Sequence, residues 1–218
     1  MIIIQAKDNV SAFKQAFFKL WGMPAPDDEE LVRESPAILM PDRFLLEERV
    51  GLDIPAKRLV YDFPWQQYFP YVDNELITEE IRYWSNEIFG RGDKYGEMVN
   101  YLRDNPTSKR AIVNFWEDEF KDLSIGASCL VSVFFRIDRG RLNAHVHARV
   151  SNASFLFFMD LQVMRAFQNV IAEGIGNEVG EFIYFTSSLH AYIAEKQKLE
   201  QLRSLFNKES VWQTLNMN

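Results

Sequence analysis

The chain has 218 residues, 47% of them hydrophobic and 25% charged, with a formal net charge of -7. That balance supports one sizeable core and excludes a disordered chain. The acidic total excludes whole-surface binding of a nucleic acid polymer, and a single cysteine forms no internal disulfide, which fits a reducing cytoplasm.

The opening MIIIQAKDNV has an apolar run too short for a secretion signal and meets charge at once. No apolar stretch reaches the ~20 residues that span a bilayer, so a cytoplasmic protein without a membrane segment is expected. Helical spacing in VSAFKQAFFKLWGM predicts an amphipathic helix that stops at Gly22. The acidic, proline-rich PAPDDEELVRESPAILMPD reads as an ordered loop with short extended pieces. RLVYDFPWQQYFPYVDN, broken by Pro64 and Pro70, reads as an aromatic loop running from surface to core. ITEEIRYWSNEIFG and KYGEMVNYLRDN predict two helices, the first ended by Gly90 and the second stopping before Pro106.

Downstream, KRAIVNFW predicts a strand, and CLVSVFFRIDRGRLNAHVHARV two strands joined by a turn at Asp138-Arg139-Gly140. FLFFMDLQVMRAFQNVIAEGIG is apolar nearly all round, which predicts a buried helix ending at Gly174 and Gly176. GEFIYFTSSLHAYIA predicts a strand that runs into a polar helix, EKQKLEQLRSLFNKE. Helices come mostly first and strands mostly second, so the expected class is α+β. No repeat or linker divides the chain, and a single domain over 1–218 is expected.

Cys129 has two readings, a small side chain that packs well or a thiolate nucleophile. Around it lie groups able to bind an anion or a sugar: Lys109 and Arg110 in a turn, Arg149 after the hairpin, and His190 and Tyr192 on one face of the last strand. A Lys-Arg pair at a turn and an arginine ending a strand also read as solvated surface. His145 and His147 share a strand face, but no third ligand sits at metal spacing, so no metal site is expected. Asp160 lies between FLFFM and LQVM, where burying a carboxylate without a partner costs several kcal/mol. It therefore lines a cavity, pairs with a cation or holds a proton.

These residues carry a resemblance. NPTSKRAIVNFW resembles the Asp-Pro-x-Ser-Arg-Arg-x-x-x-x-x-Trp block of thymidylate synthases and their relatives, the deoxycytidylate hydroxymethylases. Ser128-Cys129, RGRL and Arg149 resemble the family's Pro-Cys segment through to its Arg-Ser. GNEVGEFIYFTSSLHAY resembles the Leu-x-x-Gly-x-Phe…His-x-Tyr segment. The register holds without a gap from Lys109 to Tyr192, so residues 105–195 form the recognisable core and 1–104 a divergent part.

The resemblance implies a mixed sheet with flanking helices, packed through its sheet into a homodimer with shared sites. It makes Cys129 the nucleophile that adds to C6 of a pyrimidine nucleoside 5′-monophosphate, so that C5 captures a one-carbon unit from 5,10-methylenetetrahydrofolate. Arg149 takes the place of the phosphate arginine of its own subunit, and Lys109 and Arg110 of the pair reaching the neighbour's nucleotide. His190 and Tyr192 fall where the sugar is bound. Arg33 is a looser match to a further phosphate arginine, and Glu79 and Glu80 are the candidates for the N-terminal catalytic glutamate.

Asp160 stands where the synthases have asparagine and the hydroxymethylases aspartate. A carboxyl sharing one proton matches the edge of cytosine, which points to dCMP or CMP over dUMP and to a hydroxymethyl product. The alternatives are a dUMP-methylating synthase and a degenerate nucleotide-binding homologue. Departures cluster at folate positions: Asn152 for aspartate, Leu156 for glycine, and VWQTLNMN in place of the apolar C-terminal tail. At the phosphate positions Val150 replaces serine and Lys109 replaces arginine, losing a bidentate grip; Ser128 replaces the proline before the cysteine.

Overall fold

In the computed structural model of the chain, the described residues are 1–27, 29–43, 50–61, 69–90, 92–116 and 128–208. Alternation in IIIQAKD builds strand β1 (Ile2–Asp8), with Ile2, Ile4 and Ala6 buried and Ile3 half exposed. No sequence expectation covered this strand. Asp8 then turns the chain into helix α1 (Asn9–Trp21), its side chain accepting a hydrogen bond from the Ser11 backbone N–H at 2.7 Å.

The expected loop over 24–42 is corrected by β2 (Leu31–Arg43), a 13-residue strand that pairs β1 in parallel. Pro36 sits where the pairing of β2 with the last strand shifts register between Ser35 and Ala37. Its missing N–H therefore falls where the ladder is already interrupted. A hairpin of β3 (Val50–Asp53) and β4 (Arg58–Tyr61) follows, so part of the expected aromatic loop is strand; residues 62–68 lie outside the described residues. Helix α2 (Asn74–Ser85) is capped by Asp73 and passes into a wider turn, Asn86–Gly90, before α3 (Lys94–Asp104).

The second half follows the sequence closely. Strand β5 (Ile112–Asn114) pairs β6 (Leu130–Asp138), which turns into β7 (Arg141–Ala148). The turn residues Arg139 and Gly140 both have positive φ, 50° and 78°, the geometry that matches strand twist in a two-residue hairpin. A short β8 (Ser151–Asn152) leads into α4 (Phe155–Ile175), closed by left-handed Gly176. Strand β9 (Glu178–Tyr192) and α5 (Lys196–Asn207) complete the described chain.

The main sheet runs β1-β2-β9-β7-β6-β5, with β8 also paired to β9. It mixes parallel and antiparallel pairs, and the helices flank it, so the fold is α+β. Strands β1 and β2 precede most helices, which corrects the expectation that helices come first. Helix α4 is buried over most of its length because its apolar residues meet β7 and β9 on one side and α1 and α3 on the others. Phe13 of α1, fully buried, has ring contacts to Phe69, Phe157, Phe158 and Phe206 at centroid distances of 5.2 to 6.1 Å. Truncating it opens a cavity at the point where these elements meet. Phe13→Ala is expected to cost ~3–5 kcal/mol, read from the midpoint of urea unfolding at unchanged slope.

The opposite face is open. Lateral register places Ile3, Ile38, Phe185 and His147 in one row, and Ile183, His145, Phe134 and Ile112 in the next. Ile3 and Ile112 are about half exposed. His145 Nε2 lies 3.1 Å from a Glu181 carboxylate oxygen, and the His147 ring packs on Phe185 at 5.1 Å. Among the described residues no cluster of three potential ligands surrounds either histidine.

Candidate active site

The ends of two paired strands hold the cysteine beside the arginine. Cys129 immediately precedes β6 and Arg149 immediately follows β7; the Arg149 backbone N–H donates to the Cys129 carbonyl at 2.9 Å. The Arg149 side chain returns across this joint, its Nε donating to the Ser128 carbonyl at 3.1 Å, and its guanidinium lies 5.7 Å from the Trp116 ring centre.

Two helices close the other walls. Helix α2 brings Glu80, Tyr83 and Trp84, spaced i, i+3, i+4 and so on one face; α4 brings Leu156 and Asp160. Together with Ser128, Cys129 and Leu130 they line a pocket of about 190 Å³. The pairing of Cys129 with Asp160, expected from sequence, is present. Glu80 was one of two candidates there, and it is Glu80 that lines the pocket. Tyr83 was not expected; its signal in the sequence is its place one turn after Glu80.

Burial raises Asp160 well above the usual carboxylate range, helped by the nearby Glu80 and opposed by a hydrogen bond from Tyr184. Glu80 is raised too, by burial and by Glu79. A pocket with two carboxyl groups in partial burial favours a form holding at least one proton. The sulfur of Cys129 is open to solvent at the lip, yet its surroundings crowd it. Burial, then Asp160, push the thiol up to about 11, with Glu80 adding to this and Arg149 pulling it down.

His190 and Tyr192 on β9 pack edge to face, ring centres 4.7 Å apart, with His190 buried and Tyr192 exposed. His190 Nδ1 lies 3.3 Å from the Ser188 hydroxyl, which donates to Glu34 at 2.5 Å. Burial lowers the imidazole below its ordinary value, so the neutral ring is favoured. Arg149 contributes to that lowering, which puts the two groups in one electrostatic neighbourhood. Arg33 donates to the carbonyls of Trp21 and Val32.

Lys109 and Arg110 are exposed and lie elsewhere. The Phe135 N–H donates to the Ala111 carbonyl, which sets Arg110 beside Arg136 on β6. Cys129 is seven positions back along that strand, roughly 20 Å at ~3.3 Å per residue. Within one chain these two cations do not reach the thiol. At the folate positions, the Asn152 Nδ2 donates to Glu195 at 2.7 Å and Leu156 forms part of the pocket wall. VWQTLNMN lies outside the described residues.

A family-wide profile for thymidylate synthase matches residues 2–218. The chain is 26% identical to the thymidylate synthase of Streptococcus suis (strain 05ZYH33) over 170 residues, which is 68% of this chain and 61% of that protein. Thymidylate synthase 1 of Bacillus subtilis (strain 168) is 24% identical over 122 residues, 55% of this chain and 44% of that one. Among solved structures, thermostable thymidylate synthase A from Bacillus subtilis matches 50% of this chain and 40% of its own, with 24% identity and a TM-score of 0.45. The chain belongs to the thymidylate synthase family. It spans about half to three fifths of the length of the relatives it matches.

Proposed function

We propose that the protein transfers a one-carbon unit to C5 of a pyrimidine nucleoside 5′-monophosphate, preferring a cytosine nucleotide and leaving a hydroxymethyl group. The observation that carries this is the meeting of Cys129, Asp160 and Glu80 around one pocket, with Arg149 at the lip. The Cys129 thiolate forms a bond to C6, and the C5=C6 electron pair moves to C5. C5 then bonds to an electrophilic carbon and loses its hydrogen as a proton, and departure of the thiolate restores the double bond. A one-carbon unit at the oxidation level of formaldehyde needs no hydride to finish as hydroxymethyl.

Asp160, held protonated by burial, donates to cytosine N3 and accepts from the N4 amino group. A proton shared with N3 makes C6 more electrophilic, so recognition and activation coincide. Glu80 is placed to move the proton at C5 or N4, and Arg149 with His190 and Tyr192 takes the phosphate and sugar. The thiol at about 11 is short of thiolate at neutral pH. Neutral Asp160 removes one cause of that shift, and a phosphate-bound cluster of cations opposes the rest.

The donor implied by the resemblance, 5,10-methylenetetrahydrofolate, does not fit beside a base in the described pocket. Its 190 Å³ is below the ~300 Å³ at which pockets for drug-sized ligands begin. Leu156 stands on its wall and the Asn152 amide is engaged by Glu195. No step is derived through it here.

Homodimerisation through the open sheet face completes the reading. That face presents rows of Ile, Phe and His side chains, and Lys109 and Arg110 are too far from their own thiol to serve it. A second copy brings its pair to the first copy's phosphate. The raised thiol favours, as a second reading, a homologue that binds a nucleotide without turning it over.

Release of tritium from C5-labelled dCMP and dUMP, with and without methylenetetrahydrofolate, separates the readings. Faster release from dCMP is expected. Mixing Cys129→Ala with Arg110→Ala chains is expected to restore activity that neither has alone. No release from either nucleotide, and no adduct with a 5-fluoropyrimidine nucleotide, would leave only the binding reading.

A further inference from the structure

We infer that Tyr184, backed by Ser151, is a positioning residue that dictates which oxygen of Asp160 carries the proton, and thereby selects cytosine over uracil. The inference rests on the base-reading role proposed above for Asp160. Three buried side chains from three elements form a line: Ser151 on β8, Tyr184 on β9 and Asp160 on α4, exposed by 1%, 0% and 9%. The Ser151 and Tyr184 oxygens are 3.1 Å apart, and Tyr184 is hydrogen-bonded to the Asp160 carboxyl.

The direction of each bond follows from counting hydrogens. A phenol has one hydrogen, and it goes to the carboxyl. Ser151 must therefore donate to the phenol oxygen. The serine thus leaves the phenol hydrogen no competing acceptor along this line. The ring itself is held: Phe157, one turn before Asp160 on the same face of α4, packs edge to face on it with centres 5.6 Å apart. Parallel pairing of β8 with β9 keeps Ser151 in place, with Ser151 opposite Leu189.

A carboxylic acid that receives a hydrogen bond at one oxygen keeps its own proton on the other, because the hydroxyl oxygen is the poorer acceptor. The oxygen facing Tyr184 is then carbonyl-like, with a second lone pair for the cytosine N4 amino group. The other oxygen carries the proton to N3. Uracil presents the reverse, a donor at N3 and an acceptor at C4, and needs the proton on the oxygen that Tyr184 occupies. One tyrosine hydrogen thus favours one base. The titratable groups facing Asp160 are Glu80 from α2, Tyr184 from β9 and Cys129 ahead of β6.

The test is titration of dCMP and dUMP into Tyr184→Phe and Ser151→Ala, with the wild type alongside. Loss of one directional hydrogen bond is expected to cut the dCMP-over-dUMP preference about tenfold in Tyr184→Phe. Ser151→Ala should move the ratio the same way by less. A second readout is the pH at which dCMP affinity falls as Asp160 ionises. Tyr184 favours the ionised form, so its loss moves that fall to higher pH; a merely structural role leaves it in place. A folded Tyr184→Phe chain with the wild-type ratio and an unmoved midpoint overturns the inference while leaving the proposed function standing. If Tyr184→Phe does not fold, the same two results in Ser151→Ala overturn it. A wild type that binds neither nucleotide fails the underlying reading, and this inference with it, before any variant is needed.

Discussion

Cys129→Ala is expected to abolish the covalent adduct with a 5-fluoropyrimidine nucleotide and to cut tritium release from C5 by roughly 10⁴-fold or more. Removing a nucleophile removes the intermediate itself rather than one interaction with it. Nucleotide affinity should change little, because the phosphate, sugar and base are held by other side chains. Intact-protein mass spectrometry reads the adduct, and calorimetry reads the affinity. The free wild-type thiol, pushed up to about 11, should alkylate slowly with iodoacetamide, about tenfold faster for each pH unit up to that value. An adduct that persists in Cys129→Ala would place the chemistry on another group.

Asp160→Asn is expected to reverse base preference, shifting the dUMP-to-dCMP ratio by about 10²-fold or more. An amide donates to uracil O4 and accepts from its N3–H, and it leaves cytosine with mismatched partners. The same change has a stability signature. The folded-state value of Asp160 is raised above its unfolded one, so its contribution is fully present below the usual carboxylate range and is lost as pH rises through the folded value. A neutral asparagine has no such loss. The variant should therefore gain thermal stability relative to wild type as pH rises, and gain nothing in acid. A constant difference in melting temperature across pH would show that Asp160 does not titrate in the folded protein.

Much of this was legible residue by residue. The turn at Asp138-Arg139-Gly140, the buried helix at 155–175 and the strand carrying His190 and Tyr192 follow from local pattern, and the structure has each. Periodicity and turn chemistry are local, so short windows suffice to read them. Strand β2 was not legible, because Pro36 and Pro41 argue against a central strand and only the register shift beside Pro36 reconciles it with pairing. Strand β1 was missed for a related reason: its value as a strand depends on β2 being there to pair with it.

The candidate site divides the same way. Cys129, Arg149 and Asp160 could be singled out from the chain because each is chemically out of place in its local setting: a lone thiol, a cation ending a strand, a carboxyl inside an apolar helix. Their sequence neighbours suffice to raise that question. Glu80 is one of two adjacent glutamates with similar local surroundings, and only the packing of α2 against the mouth of β6 puts one of them in the pocket. Tyr184 reads as core from its strand alone; its contact with Asp160 joins positions 24 residues apart and exists only once β9 lies beside α4. Sequence by itself determined which side chains are costly to bury without a purpose. The tertiary structure decided which of them share a cavity, because proximity across elements is set by packing and register, and neither leaves a mark within a single stretch of chain.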